Sequence, residues 1–231
     1  YLSSVYEPMK LTESIIEDEK ITELEKLGWV YLAPDVITPD GTAPERVNYG
    51  EVILPPRLRS QLQLINPGIP ASAIEQAIKD VQRIASPDLL TNNEKFHKYL
   101  TDGVPVNYRV DGREKDDYVW LIDFNEVNRN DFVVVNQFTV IENHHNKRPD
   151  VILMVNGLPL VLIELKNPAD ENATILKAFD QVEVYKAMIP SVFTYNAICV
   201  ITDGHECKAG TISAGFSRYA VWKSSDGKKD D

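Results

Sequence analysis

The sequence predicts a mixed α/β fold: a central mixed sheet flanked by helices on both faces, with a helical insertion at one side. After Asp102-Gly103, short runs rich in Val, Ile, Tyr and Phe recur: VNYRV, YVWLIDF, DFVVVNQFTV, VILMV, LVLIELK and NAICVIT. Runs of that length and composition suit strands, because branched and aromatic side chains pack well on a pleated, half-buried surface. Between two of them, residues 172–189 (NATILKAFDQVEVYKAMI) carry a helical pattern ending at Pro190, which predicts a strand, helix, strand crossover. Residues 57–100 turn helical in composition and predict the insertion.

Taken in order, residues 12–29 place apolar side chains at 15, 16, 21, 24 and 27, one face of a helix, with Thr12 as N-cap and Gly28 at the stop. Residues 31–51 mix Pro34, Pro39, Gly41 and Pro44 and read as loop with room for a short strand. The insertion divides at Pro and Gly into RLRSQLQLI, then AIEQAIKDVQRIA opened by Ala71 or Ser72, then NNEKFHKYL. The polar tail at 224–231 is expected to fray. One domain over 1–231 is the expectation, and no internal repeat is found.

Composition narrows the classes of function. The 231 residues are 43% hydrophobic and 26% charged, the balance of a globular protein. The longest apolar runs, VILMV and LVLI, fall far short of the roughly 20 residues that span a bilayer. No basic, then apolar, leader opens the chain, so an intracellular, cytoplasmic protein is expected. Cys199 and Cys207 are too few for a disulfide framework and read as structural thiols. With 24 basic against 35 acidic residues, the net charge of −11 argues against gripping nucleic acid by bulk electrostatics. A nucleic-acid enzyme of this charge has to be delivered to its substrate by other domains or subunits.

The chemistry concentrates at 148–166. Asn156-Gly157 between two apolar runs is a strong hairpin signal, since both residues tolerate positive φ. With the turn centred near Gly157, Asp150 and Glu164 fall opposite one another, on the order of 5 Å apart. Glu164 and Lys166 then share one strand face while Ile163 and Leu165 occupy the other. Charge inside LVLIELK needs a partner or a metal, because burying a lone carboxylate or ammonium is costly. Two carboxylates suit a hard divalent cation such as Mg2+, and a neighbouring ammonium suits the charge that develops at a phosphate under attack. The plainer alternative is a solvated Glu164–Lys166 pair on an edge strand.

Pro149-Asp150 followed by Glu164-Leu165-Lys166 resembles the PD-(D/E)xK nuclease signature. The longer string RPDVILMVNGLPLVLIELKNP, 148–168, is similar to the corresponding block of type I restriction enzyme R subunits, and the similarity extends through NDFVVVNQFTV, AFDQVEVYKAMIP and NAICVITDG. The resemblance implies a restriction-endonuclease-like fold and Mg2+-dependent cleavage of double-stranded DNA, with Asp150, Glu164 and Lys166 catalytic and Asp150 and Glu164 on the metal. It also implies methylation and specificity subunits as partners. Gln181 and Tyr185, four apart on one helix face, match the QxxxY element that accompanies the motif in this family; by spacing alone they read as a surface residue and a core residue.

Related nucleases draw a further metal ligand from an early helix. Glu17 is the preferred candidate and Glu13 the alternative, against the reading that both merely solvate the helix. Lys147 and Arg148 are candidates for DNA phosphate contact; His144 and His145 read as an exposed loop. R subunits of this family continue into ATP-driven motor domains, whose phosphate-cradling G-x-x-x-x-G-K-[ST] loop does not occur in these residues. ATP is therefore expected to serve only the parent subunit, of which this chain would be the nuclease part. The competing reading is a nuclease-like docking or regulatory module of the same complex, from which metal binding discriminates it. A small-molecule enzyme using the same carboxylates ranks last, since no cofactor motif appears.

Overall fold

The computed structural model describes residues 12–170 and 174–222. Helix α1 (Glu13–Lys26) is capped by Thr12, whose Oγ1 accepts from the Ile15 amide, and the chain leaves it through Gly28 at φ +96°. A short strand β1 (Val30–Tyr31) and a single turn α2 (Pro34–Ile37) follow. The stretch read as helical is three helices, α3 (Pro55–Ile65), α4 (Ala71–Gln82) and α5 (Leu89–Asp102). Proline opens α3, where its missing N–H is one that no helical bond would use. Asp88 caps α5 through the Thr91 amide at 2.8 Å.

Strands β2 (Val104–Val110) and β3 (Arg113–Val119) form a separate hairpin around Asp111-Gly112, at φ 51° and 76°. This corrects the reading of YVWLIDF as one strand. The side chain of Asn66 takes both backbone groups of Trp120, accepting from its N–H at 2.9 Å and donating to its carbonyl at 3.0 Å, so the ladder ends at Val119. A second correction falls on DFVVVNQFTV. It divides into β4 (Phe132–Asn136) and β5 (Val140–Glu142), because Gln137 sits at φ +47° and takes the chain out of the sheet. The residues read as a histidine loop form a tight hairpin, in which β5 pairs with β6 (His145–Lys147) across Asn143 and His144.

The remaining elements are β7 (Val151–Val155), β8 (Leu158–Leu165), α6 (Ile175–Met188), α7 (Pro190–Thr194), β9 (Ile198–Thr202), β10 (Cys207–Gly210) and β11 (Ala220–Val221). A seven-stranded mixed sheet runs β1-β4-β7-β8-β9-β10-β11, parallel at β1–β4 and β8–β9 and antiparallel elsewhere. Helix α6 makes the expected crossover from β8 to β9.

Both faces of the sheet are covered. Ile21 of α1 packs with Val134, Val151, Leu153 and Leu165, while Ala178, Val182 and Tyr185 of α6 join the larger core with Ile152, Leu162 and Ile201. Alternate residues of β7 thus serve different cores, which is why VILMV is apolar throughout rather than alternating. Each Leu, Ile or Val withdrawn from water contributes about 1.5–3 kcal/mol. This is the restriction-endonuclease-like mixed sheet flanked by helices that the sequence predicts. Among the described residues no helix is long and apolar enough to cross a membrane. The tail at 224–231 lies outside the described residues.

Candidate functional site

The site stands at the end of the β7–β8 hairpin away from its turn. Asn156 and Gly157 form that turn at φ 55° and 79°, and Asn156 is anchored by its side chain, which accepts from the Asp131 amide and donates to the Leu121 carbonyl and to Asn130 Oδ1. A two-residue turn pairs Val155 with Leu158 and Met154 with Pro159; carried on unchanged, that register sets Asp150 against Ile163. A β-bulge between Leu153 and Met154 adds a residue to β8 and shifts the pairs to Leu153–Val161, Ile152–Leu162 and Val151–Ile163. Continued by one step, the shifted register brings Asp150 opposite Glu164. The bulge converts a hairpin into a carboxylate pair.

Backbone and side chains then fix the pair. The Leu165 amide donates to Asp150 Oδ2 at 2.7 Å, and the Gln137 amide donates to the Asp150 carbonyl at 2.9 Å. Lys166 Nζ donates to Glu164 Oε1 at 2.8 Å, while the Lys166 backbone N–H is held by the Thr202 carbonyl of β9, also at 2.8 Å. Glu164 is only 2% exposed, and its second oxygen, Oε2, is buried without a hydrogen-bond partner. Burial, and after it the neighbouring Asp150 charge, push the Glu164 carboxyl up to about 8, against the lowering pull of Lys166. A solvated edge-strand pair is excluded, since β8 lies between β7 and β9.

The other candidates distribute around this pair. Tyr185, 5% exposed on α6, donates from its hydroxyl to the Arg148 carbonyl at 3.3 Å. Burial, then the charges of Glu164 and Asp150, drive that hydroxyl far above its ordinary ionisation range, against a lowering influence of Gln181. Tyr185 is thus both a core residue and a neighbour of the carboxylates. Arg148 is exposed and Lys147 half-buried on the strand leading into Asp150; His144 and His145 are exposed at the β5–β6 hairpin.

Glu17 is 7% exposed on α1, and burial first, then Asp150, raise its carboxyl. It reaches Asp150 through an amide: Gln137 Nε2 donates to Glu17 Oε1 at 2.9 Å and to Asp150 Oδ1 at 3.4 Å. Asn136 Nδ2 adds a long contact of 3.5 Å to Glu17 Oε2. Among the described residues no three Asp, Glu, His or Cys side chains group as a metal-ligand set. The close acidic pair is Asp150 and Glu164, with Glu17 one bridge away. The side chain of Glu13 lies outside the described residues. Sequence reasoning missed Gln137 and Asn136; polar residues ending the apolar run FVVV were the available signal. A cavity of about 360 Å³ bordered by Glu51, Glu142, Ser191 and Tyr195 shares none of its lining with this cluster.

A family model described as the type I restriction enzyme R protein N terminus matches residues 10–218. The chain belongs to that family. It is 39% identical over 220 residues to the type I restriction enzyme HindI endonuclease subunit of Haemophilus influenzae, which covers 94% of this chain and 21% of that protein. It is 32% identical over 228 residues to the putative type I restriction enzyme MjaIXP endonuclease subunit of Methanocaldococcus jannaschii, covering 97% of this chain and 22% of that one. A shorter match, 36% over 119 residues, joins 50% of the chain to the type I restriction enzyme EcoprrI endonuclease subunit of Escherichia coli. The chain spans about a fifth of the length of the first two relatives.

Proposed function

We propose that this chain is the nuclease domain of a type I restriction enzyme R subunit, hydrolysing the backbone of double-stranded DNA with Mg2+ held by Asp150 and Glu164. The observation that carries the reading is the buried Glu164 carboxylate, which keeps one oxygen without a partner beside a second carboxylate and an ammonium. Such a group is costly unless a cation completes it. Two adjacent carboxylates fit Mg2+, which binds protein through one or two carboxylates and retains waters for phosphate to replace. A divalent cation bound there supplies charge to polarise the scissile phosphate and to acidify a water.

The rest is the work of the chain's own residues. Asp150 is held in place from the backbone by Leu165, so its carboxylate needs no reorganisation when it takes up a ligand. Lys166 offers an ammonium at the same edge, fixed by Glu164, where it orients an attacking water and offsets negative charge on the phosphorus oxygens. Tyr185 braces the Arg148 carbonyl and with it the segment entering Asp150. Arg148, exposed two residues before Asp150, and Lys147 are placed to meet a DNA phosphate. The net charge of −11 supports delivery by the parent complex, with methylation and specificity subunits choosing the site and ATP serving motor domains of the longer subunit.

The test is plasmid cleavage by the multisubunit enzyme carrying Asp150→Ala or Lys166→Ala, beside Mg2+ and Mn2+ titration into this chain. Cleavage lost in both variants, with the fold intact and ion binding lost in Asp150→Ala, supports the site. Cleavage untouched by either substitution sinks it, and a parental chain that binds neither ion favours a docking module.

A further inference from the structure

Gln137 is unusual in its backbone as well as its contacts. At φ +47° it occupies the left-handed region that side chains other than Gly, Asn and Asp seldom enter. Residues held there are strained and persist where the surroundings over-determine them. Two features of the surroundings impose it here. The Gln137 N–H is committed to the Asp150 carbonyl at 2.9 Å, one step beyond the last β4–β7 pair, Asn136–Val151. Phe138, the next residue, is fully buried, so the chain must turn at Gln137 to deliver that ring into the core.

The result is a side chain aimed back at the acidic residues. A primary amide carries two N–H donors. Gln137 Nε2 directs both at carboxylates, Glu17 Oε1 at 2.9 Å and Asp150 Oδ1 at 3.4 Å. Asp150 Oδ2 is already engaged by the Leu165 amide. Two donors from different elements therefore define the plane of the Asp150 carboxylate, and one of them is itself oriented by Glu17.

We infer that Gln137 is a positioning residue for the proposed metal pair, and that Glu17 acts by holding the Gln137 amide rather than as a metal ligand of its own. This rests on the reading of Asp150 and Glu164 as the cation-binding carboxylates. Glu17 is the anchor, Gln137 the arm, Asp150 the ligand that is aimed. A neutral amide suits the middle place: a third carboxylate there would add repulsion to an already crowded acidic cluster, and a lysine would compete with the cation for Asp150. Residues that orient a metal ligand typically alter metal affinity by 10–100-fold when replaced.

The experiment is isothermal calorimetry of Mn2+ binding to the full 231-residue chain, with Gln137→Met, Gln137→Asn, Glu17→Met, the Gln137→Met/Glu17→Met pair and Asp150→Asn compared, each checked for parental circular dichroism. Gln137→Met keeps length and removes both donors. Gln137→Asn accepts positive φ readily but falls short of Glu17, and so serves if the methionine variant does not fold. Gln137→Met and Glu17→Met are each expected to weaken Mn2+ about tenfold or more, with the double variant no weaker than the worse single one, as two parts of one arm require. Parental affinity in both Gln137 variants overturns the inference. So does loss of binding in Glu17→Met while Gln137→Met binds normally, or losses that add in the double variant. A parental chain that takes up no Mn2+, or one whose binding is unmoved by Asp150→Asn, overturns the reading of the site itself and this inference with it.

Discussion

The backbone N–H of Leu165 donates to Asp150 Oδ2 at 2.7 Å, so the strand that carries Glu164 and Lys166 also clamps the carboxylate facing them. Side chains on either side of Leu165 point to the proposed reaction centre while its own side chain is buried in the α1-side core, and its amide joins the two hairpin arms. Site geometry and sheet geometry are therefore one structure.

That clamp separates two substitutions at Asp150. Asparagine keeps an oxygen for the Leu165 amide but turns its NH2 toward the Gln137 donor and loses the charge, so Asp150→Asn is expected to unfold at a temperature between those of the parent and Asp150→Ala while lowering cleavage at least about 100-fold. Alanine also abandons the buried Leu165 donor, which costs about 1–3 kcal/mol. Thermal unfolding followed by circular dichroism, beside plasmid cleavage by the assembled enzyme, distinguishes them. Equal unfolding temperatures for the two variants would show that the clamp contributes nothing.

Glu164 makes stability depend on pH with a definite sign. Burial, followed by Asp150, pushes its carboxyl up to about 8 in the folded chain, whereas an unfolded Glu ionises near 4.3. Between those values the folded state holds a proton that the unfolded state has released, so this group makes stability fall as pH rises from about 4 to about 8. With a chelator present, Glu164→Gln removes that dependence and is expected to be the more stable protein at pH 8. Each 1 kcal/mol appears as about 2–4 °C in a domain of this size. The same variant should not cleave DNA. Added Mg2+ should stabilise the parent more as pH rises, because the proton must leave before a cation can bind. Parallel melting profiles for parent and variant from about pH 5 to pH 8 would refute this account.

Much of this site was legible in the sequence because its signals are local. Asn156-Gly157 announces a hairpin, period-two alternation sets Glu164 and Lys166 on one face, and a charge within LVLIELK demands a partner. A turn centre at Gly157 predicts the opposition of Asp150 and Glu164; a two-residue turn alone centres half a residue earlier, and the bulge makes up the difference. The sequence signal for that bulge was Pro159, which has no N–H to give the ladder and stands in the pair next to the shift. The polar end of FVVV marks Gln137 as a candidate but not its backbone: the positive φ follows from the need to bury Phe138 and bond Asp150, both decided by tertiary contacts. β10 and β11, with Lys, Ala and Gly among their residues, carry too little branched or aromatic character to read as strands, and pairing with β9 creates them.

Tyr185 tests whether the QxxxY element works through position or through packing. Tyr185→Phe keeps the ring in the core and removes the hydroxyl that braces the Arg148 carbonyl beside Glu164. Stability is expected to change by less than about 1 kcal/mol, whereas cleavage falls about tenfold through looser placement of the Arg148–Asp150 segment. A variant that cuts like the parent would leave Tyr185 a packing residue only.

Asn156 allows the scaffold to be weakened without touching the chemistry. Its side chain is fully buried, makes three hydrogen bonds to Asp131, Leu121 and Asn130, and its backbone stands at φ +55°. Asn156→Ala strands those partners and places a residue poorly suited to positive φ in the turn, so a loss of about 3–5 kcal/mol is expected. Asn156→Gly relieves the backbone but not the partners and should lose less. Because the turn sets the starting register and the bulge then resets it, any Asn156→Ala protein that remains folded at low temperature should still bind Mn2+ within about threefold of the parent. Chemical denaturation and calorimetry on one preparation decide the matter: lost affinity in a folded variant would mean that the turn, not the bulge, holds Asp150 against Glu164.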